Sequence, residues 1–394
     1  MFRISAAIGG LALGAAMLTC PSSADAELRL HAARERAAGV PLPVKVTGAL
    51  ADTQVAIERR TRRGRWISVG AASANATGDA VVRLRTPTAT RRWRLRARGA
   101  DGVLSPQTRT EIRPVTLTSV GDINLGDGPG AVMEARGPRW PWIDVAPALR
   151  AADIAFGNLE CSVSNRGAPV PKLYTFRGRP RWLRTLRQFA GLDVVNLANN
   201  HVGDYGTLAT ADTIRHVREA GLVGVGAGFN AAGARRPRVV KRLGLRVAFV
   251  GFSDIGPYTF AAGPRTPGTR LASPANVRAD VRAARRRGDV VVATFHWGVE
   301  RDARPSARQI ALGRAALAAG ADVVIGAHPH VLQPVARPSR HRVIAYSLGN
   351  FIWSAGSPAT ASTGMLKVSL STRGVEGVVF TPAQIVATRP RLRR

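Results

Sequence analysis

Between residues 44 and 113 apolar and polar positions alternate in short runs. Val55-Ala56-Ile57-Glu58, Trp66-Ile67-Ser68-Val69, Ala80-Val81-Val82-Arg83-Leu84 and Trp93-Arg94-Leu95-Arg96-Ala97 are the clearest, with Gly, Asn, Asp and Pro clusters between them. A period of two puts alternate side chains on one face, which suits a half-buried strand. Several such strands, spaced roughly 10 residues apart, predict a small Ig-like β-sandwich over residues 40–113. That stretch holds no cluster of histidines or acids, so it predicts a spacer or adhesion module.

The pattern changes at Pro114. Short β-branched runs at 115–120, 154–157, 194–197, 247–250, 290–295, 323–325 and 343–347 now alternate with amphipathic stretches at 181–190, 207–220, 275–287 and 306–319. Ser306 is placed to cap a helix, and Gly191, Gly221, Gly288 and Gly320 stand at helix ends. Strands alternating with helices predict an α/β domain, covering residues 114–388, whose sheets are buried on both faces. Residues 253–273, rich in Gly and Pro, predict a long surface loop.

The first 26 residues stand apart. Arg3 precedes an apolar or small-residue run to Leu18, and Ala24-Asp25-Ala26 offers a small-residue cleavage site. The run is shorter than the roughly 20 residues a spanning helix needs. It predicts a signal peptide over 1–26, an exported protein in the cell envelope or outside it, and a cleaved leader in preference to a retained anchor. Cleavage would remove Cys20 and leave Cys161 alone, which excludes an internal disulfide and predicts a buried structural thiol.

Charge adds a partner class. The chain has 57 basic and 25 acidic residues, a formal net charge of +32. Such a surface attracts polyanions. Nothing resembles a DNA-reading helix or an aromatic RNA-binding motif, so nucleic acid is not the expected partner.

The chemistry clusters where strands end. Asp122, Glu160, Asn200 with His201, His296, and His328 with His330 each follow a predicted strand, and they include four of the seven histidines in the chain. Ligands of α/β sheets bind beyond the carboxyl ends of strands. Carboxylates, imidazoles and an amide oxygen suit divalent transition metals. A pair of ions needs an acid that bridges both, and Glu160 is the candidate. His328 and His330 flank Pro329. The residue before proline favours an extended backbone, which would turn both imidazoles to one face.

Taken in order, Gly121-Asp122, Asn158-Leu159-Glu160, Asn199-Asn200-His201, His296-Trp297-Gly298, Gly326-Ala327-His328-Pro329-His330 and Tyr346-Ser347-Leu348-Gly349-Asn350-Phe351 resemble the CapA family. That family includes PgsA-type proteins of poly-γ-glutamate capsule synthesis. The resemblance implies a calcineurin-like metallophosphoesterase fold, a four-layer αββα sandwich. It implies two divalent ions (Mn, Fe or Zn) held by Asp122, Glu160, Asn200, His296, His328 and His330, with His201 protonating a leaving group. Asn124 stands where such enzymes usually carry a histidine, and Glu160 where they usually carry an aspartate. Asn124, Lys172, Arg177 and Asn350 are further candidates for substrate contact, Lys172 and Arg177 from a basic loop with Arg179. The resemblance implies an anionic envelope polymer such as poly-γ-glutamate as partner, together with capsule-synthesis membrane proteins. Two alternatives stay open: a secreted metal-dependent phosphoesterase or other hydrolase, and a non-catalytic protein that binds envelope polymer.

Overall fold

A computed structural model describes residues 27–393. The expected signal segment, with Cys20, lies outside the described residues. Among them, no helix is long and apolar enough to cross a membrane. The chain forms two compact units, the smaller from residues 27–32, 43–84 and 94–109, the larger from 33–42, 85–93 and 110–393.

In the smaller unit, strand Leu42–Thr47 lies between Arg29–Ala32 and Ala80–Leu84. Gln54–Arg60 pairs antiparallel with Trp66–Ser73 and with Arg91–Arg98. Leu42–Thr47 and Ala80–Leu84 bury alternate residues, as their period of two requires.

The larger unit is mixed α/β and holds two large sheets. In the first, Val115–Ile123 is central. Ile154–Leu159 runs parallel to it, followed by Val194–Asn196 and Val223–Val225, also parallel. On its other side Ser362–Ser371 pairs antiparallel and continues into Gly374–Val386 and Arg389–Leu392. In the second sheet Leu245–Ser253, Val290–His296, Val323–Ala327 and Arg342–Ala345 are parallel neighbours, with antiparallel edges Arg238–Arg242 and Val335–Ser339. Central strands such as Ile154–Leu159 and Val290–His296 are buried at every position, which explains their continuous rather than alternating apolar runs.

Three cores account for this burial. One draws on both sheets, with Leu117, Phe156 and Val194 from the first and Phe249, Val292 and Val323 from the second. Phe156 stacks on Phe249 with ring centroids 6.2 Å apart. Another packs Val120, Leu159 and Val195 of the first sheet against Trp142, Leu186 and Val217. The third packs Val250, Val291 and Val324 of the second sheet against Val277, Val281 and Leu312. Each such side chain stabilises the fold by about 1.5–3 kcal/mol on full burial.

The helices at 206–219, 274–285 and 307–318 lie where the periodicity predicts. Ser306 closes a capping box with Gln309, worth about 1 kcal/mol. The expected helix over 181–190 is instead a 3-10 turn, Pro180–Trp182, followed by a π-wound segment, Thr185–Ala190. The loop at 253–273 contains one 3-10 turn and the short strand Gly268–Thr269. Cys161 is buried and free, and burial pushes its thiol up to about 12.

Candidate metal centre

The parallel strands of both sheets deliver their carboxyl ends to one place. Asp122 is the penultimate residue of Val115–Ile123, and Glu160 follows Ile154–Leu159 directly. His296 ends Val290–His296, and His328 follows Val323–Ala327. Glycines permit the close approach. A Cβ on Gly121 would sit 1.9 Å from the Gly349 carbonyl oxygen, and one on Gly326 would sit 2.0 Å from that of Tyr346.

Asp122, Glu160 and His296 are fully buried. Their ligand atoms lie within 4.8 Å of one another, and so do those of Glu160, His328 and His330. Glu160 belongs to both groups. Its Oε1 lies 3.4 Å from His296 Nε2, 3.7 Å from His330 Nε2 and 4.0 Å from His201 Nε2. That oxygen is buried and has no hydrogen-bond partner. His330 Nδ1 lies 3.2 Å from Asp122 Oδ2. Asn200 Oδ1 is 2.8 Å from His296 Nε2, and His328 Nδ1 is 3.1 Å from the same nitrogen.

Electrostatics follow from this crowding. Burial, and then the Asp122 carboxylate, push the Glu160 carboxyl well above its usual range. Burial, then neighbouring imidazoles, hold His296 well below its usual value and bring His328 down to about 3. Burial also opposes protonation of His330, but the hydrogen bond and charge of Asp122 outweigh it and raise its pKa. Packing two acids and three imidazoles into one buried cluster is costly. A divalent ion would satisfy the orphaned Glu160 oxygen and use the ring nitrogens as ligands. The donor set fits such a cation.

The backbone at His328 and His330 differs from the extended expectation. Their φ angles are 97° and 58°, in the left-handed region that costs a non-glycine residue of order 1–3 kcal/mol. The proline rule describes an unconstrained chain. Here the backbone bends beyond the strand, His328 N donates to Asp122 Oδ2 at 3.3 Å, and both imidazoles still join the Glu160 group.

Residues that are not among the predicted ligands complete the site. Asn158 sits at its centre, with Nδ2 2.8 Å from Asp122 Oδ1, 3.3 Å from Glu160 Oε2 and 3.2 Å from His296 Nδ1. Asn196 Nδ2 donates to Asn158 Oδ1 at 2.9 Å and fixes that amide. The signal is in the spacing: Asn158, near the end of Ile154–Leu159, precedes Glu160 by two, which in extended chain puts both side chains on one face. Asp204 is fully buried, and its Oδ2 lies 2.6 Å from His201 Nδ1. Phe176 stacks on the His201 ring at 4.1 Å. Burial, opposed by Asp204, lowers the His201 pKa.

The other candidates sit further out. Lys172 is largely buried: its Nζ donates to Asp204 Oδ1 at 2.7 Å and to the Asn200 carbonyl, and lies 3.2 Å from His201 Nδ1. Asn350 Oδ1 lies 2.9 Å from His330 Nδ1. Asn124 points away into a turn, accepting from Gly126 N at 2.7 Å. The Arg177 guanidinium lies over the Tyr205 ring at 3.5 Å and donates to the Gly167 carbonyl. A cavity of about 310 Å³ opens beside the cluster, lined among others by His201, His330, Asn350 and Trp353.

These features define a mixed α/β protein with candidate metal-binding groups where its sheets end. Residues 116–355 match the family described as bacterial capsule synthesis protein PGA_cap. The chain is 32% identical over 296 residues to the capsule biosynthesis protein CapA of Bacillus anthracis, covering 73% of this chain and 72% of that one. It is 33% identical over 294 residues to the PGA biosynthesis protein CapA of Bacillus subtilis strain 168, covering 73% and 76%. A probable polyglutamine synthesis accessory protein of Mycobacterium tuberculosis is 30% identical over 228 residues, covering 54% of this chain and 60% of that one. The chain belongs to the CapA family of capsule synthesis proteins.

Proposed function

We propose that this protein acts outside the cytoplasm in the synthesis, anchoring or export of an anionic capsule polymer, poly-γ-glutamate, through two divalent ions at the strand ends. The observation that carries the reading is Glu160 Oε1: buried, without a hydrogen-bond partner, and shared by two ligand groups. Asp122, His296 and Asn200 would hold one ion, His328 and His330 the other, and Glu160 both. Manganese, iron or zinc all suit these donors. Such ions, when bound, activate water and polarise the bond it attacks. Asp204 fixes the Nδ1 proton of His201 and turns Nε2 toward the cluster, where it can exchange a proton with a leaving group. A net charge of +32 suits a polymer of carboxylates.

The three cores support a four-layer αββα arrangement of the calcineurin-like type. Residues 1–26 would direct export and be cleaved, and the β-module over 40–113 would hold envelope material or membrane partners of capsule synthesis. A second reading is a secreted metal-dependent phosphoesterase, favoured by the same orientation of His201 by Asp204.

The test is elemental analysis of the purified mature protein, wild type against His328→Ala/His330→Ala. About two ions per chain, lost in the double variant, are expected. Release of glutamyl products from poly-γ-glutamate, without turnover of a phosphodiester, supports the polymer reading, and the reverse supports the phosphoesterase. A wild type that stays metal-free after reconstitution sinks both.

A further inference from the structure

The cavity beside the metal cluster carries two charges with no assigned role. Glu300 and Arg301 are adjacent in sequence, and both line it. In a chain with 57 basic residues, most acids are drawn into ion pairs. Arg308 takes Asp254, Arg285 takes Asp322, and even exposed Arg304 takes Asp302. Among the described residues neither Glu300 nor Arg301 forms a side-chain hydrogen bond or an ion pair, with each other or with any neighbour.

Their placement is held from the backbone. Arg301 has φ 63°, and its N–H donates to the Pro329 carbonyl at 2.8 Å. The pair is therefore tied to the His328-Pro329-His330 turn. Glu300 lines the same cavity as His201 and His330. Aromatic rings line it too, with Trp353 4.5 Å from the His330 ring and Tyr174 61% exposed. An acid, a guanidinium and an aromatic wall beside a cluster suited to hydrolysis match a ligand with an ammonium, a carboxylate and a short aliphatic stem. The volume, about 310 Å³, corresponds to about ten waters at roughly 30 Å³ each, enough for one such residue.

We propose that this cavity is a subsite for an amino-acid residue with both its α-amino and α-carboxylate groups free. In a γ-linked glutamyl chain only the amino-terminal residue meets that description, because interior units carry a carboxylate and an amide but no ammonium. Glu300 takes the ammonium, Arg301 the carboxylate, and Trp353 the methylenes. The next amide then lies toward the metal cluster. This subsite rests on the polymer reading above and sharpens it: the protein recognises a chain end.

The test is calorimetry on the full metal-loaded protein with three probes. These are γ-glutamylglutamate, its N-acetyl derivative, and 4-aminobutanoyl-glutamate, which keeps the ammonium but lacks the first α-carboxylate. Each loss of a charged contact is expected to weaken binding about tenfold or more. Glu300→Gln should erase the penalty for N-acetylation and keep that for the missing carboxylate, and Arg301→Gln should do the reverse. Equal binding of the free and acetylated dipeptides by wild type overturns the proposal, and needs no variant to fold. A penalty that survives in the matching variant also overturns it. If no dipeptide binds but amino-blocked poly-γ-glutamate does, the chain-end subsite falls and the polymer reading stands. If neither binds, both fall.

Discussion

Glu160→Gln separates the cost of the empty cluster from the gain on binding metal. The wild-type carboxyl is fully buried, one of its oxygens has no partner, and burial with Asp122 raises its pKa. Glutamine keeps the shape, removes the charge and puts an N–H donor 3.4 Å from His296 Nε2 if the amide takes the place of Oε1. An unsatisfied buried polar group costs about 1–3 kcal/mol. The metal-free variant should therefore be more stable than metal-free wild type, and a gain of about 1–2 kcal/mol raises the midpoint by roughly 2–6 °C in a unit of this size. The sign has a pH signature. A group whose folded pKa is raised contributes stability below its unfolded value, which is lost as pH rises through the folded value. The advantage of Gln over Glu should thus be small near pH 4 and grow toward pH 8. Metal reverses the ranking. At an ion concentration 100-fold above Kd, wild type gains about 2.7 kcal/mol, and the variant, lacking the ligand shared by both groups, gains close to nothing. The assay is thermal unfolding in EDTA and in manganese or zinc, from pH 4 to 8. A variant that is less stable than wild type in EDTA would show that the buried Glu160 charge is no net cost, and one that keeps the full metal-induced shift would show that Glu160 is not a shared ligand.

Other outcomes follow from the same geometry. Asp204→Asn removes the partner of Lys172, whose side chain is 19% exposed, and should cost about 1–3 kcal/mol in urea denaturation after allowance for that exposure. The Lys172→Met/Asp204→Asn double variant should recover part of that loss, and strict additivity would count against the pair. Burial brings the His328 pKa down to about 3, so in metal-free protein its contribution is present above about pH 6.5 and lost as pH falls toward 3, by up to about 1.4 kcal/mol per unit. His328→Asn should flatten denaturation midpoints between pH 6.5 and 4. Gly121→Ala places a methyl 1.9 Å from the Gly349 carbonyl oxygen, which accepts from Asp122 N at 2.9 Å. It should cost about 2–4 kcal/mol and weaken metal affinity together, and an unchanged melting point would show that the strands can part without disturbing Asp122.

Much of the centre was legible because it is built from local order. Strand runs such as 290–295 are apolar except for Thr294 and are followed at once by a histidine, so both the burial and the place of His296 can be read from adjacent letters. What was not legible depends on contacts between distant segments. Lys172 lies in a segment with Arg177 and Arg179 that looks solvated, until residue 204 folds back and Asp204 takes Val170 N–H on its carbonyl and Phe176 N–H and Lys172 Nζ on its carboxylate. The His201–Asp204 spacing of three means little in a sequence, because its value comes from the turn that brings the two side chains together. The strand Ser362–Ser371, central in the first sheet between Val115–Ile123 and Gly374–Val386, is far in sequence from its first partner. Its alternation shows a strand, but nothing local shows that it completes the wall behind Asp122. The turn at His328 is the sharpest case. The proline rule predicts the right outcome, two imidazoles on one site, by the wrong backbone, because the rule covers local sterics alone. Asp122 holding the His328 N–H, and Pro329 receiving the Arg301 N–H, are tertiary terms. The turn lies in left-handed space, and the Arg301 N–H bond to Pro329 ties the chain at Glu300 and Arg301 to it. The left-handed turn and the charges beside it therefore share a backbone contact, and a change at Pro329 that relaxes the turn should displace Glu300 and Arg301.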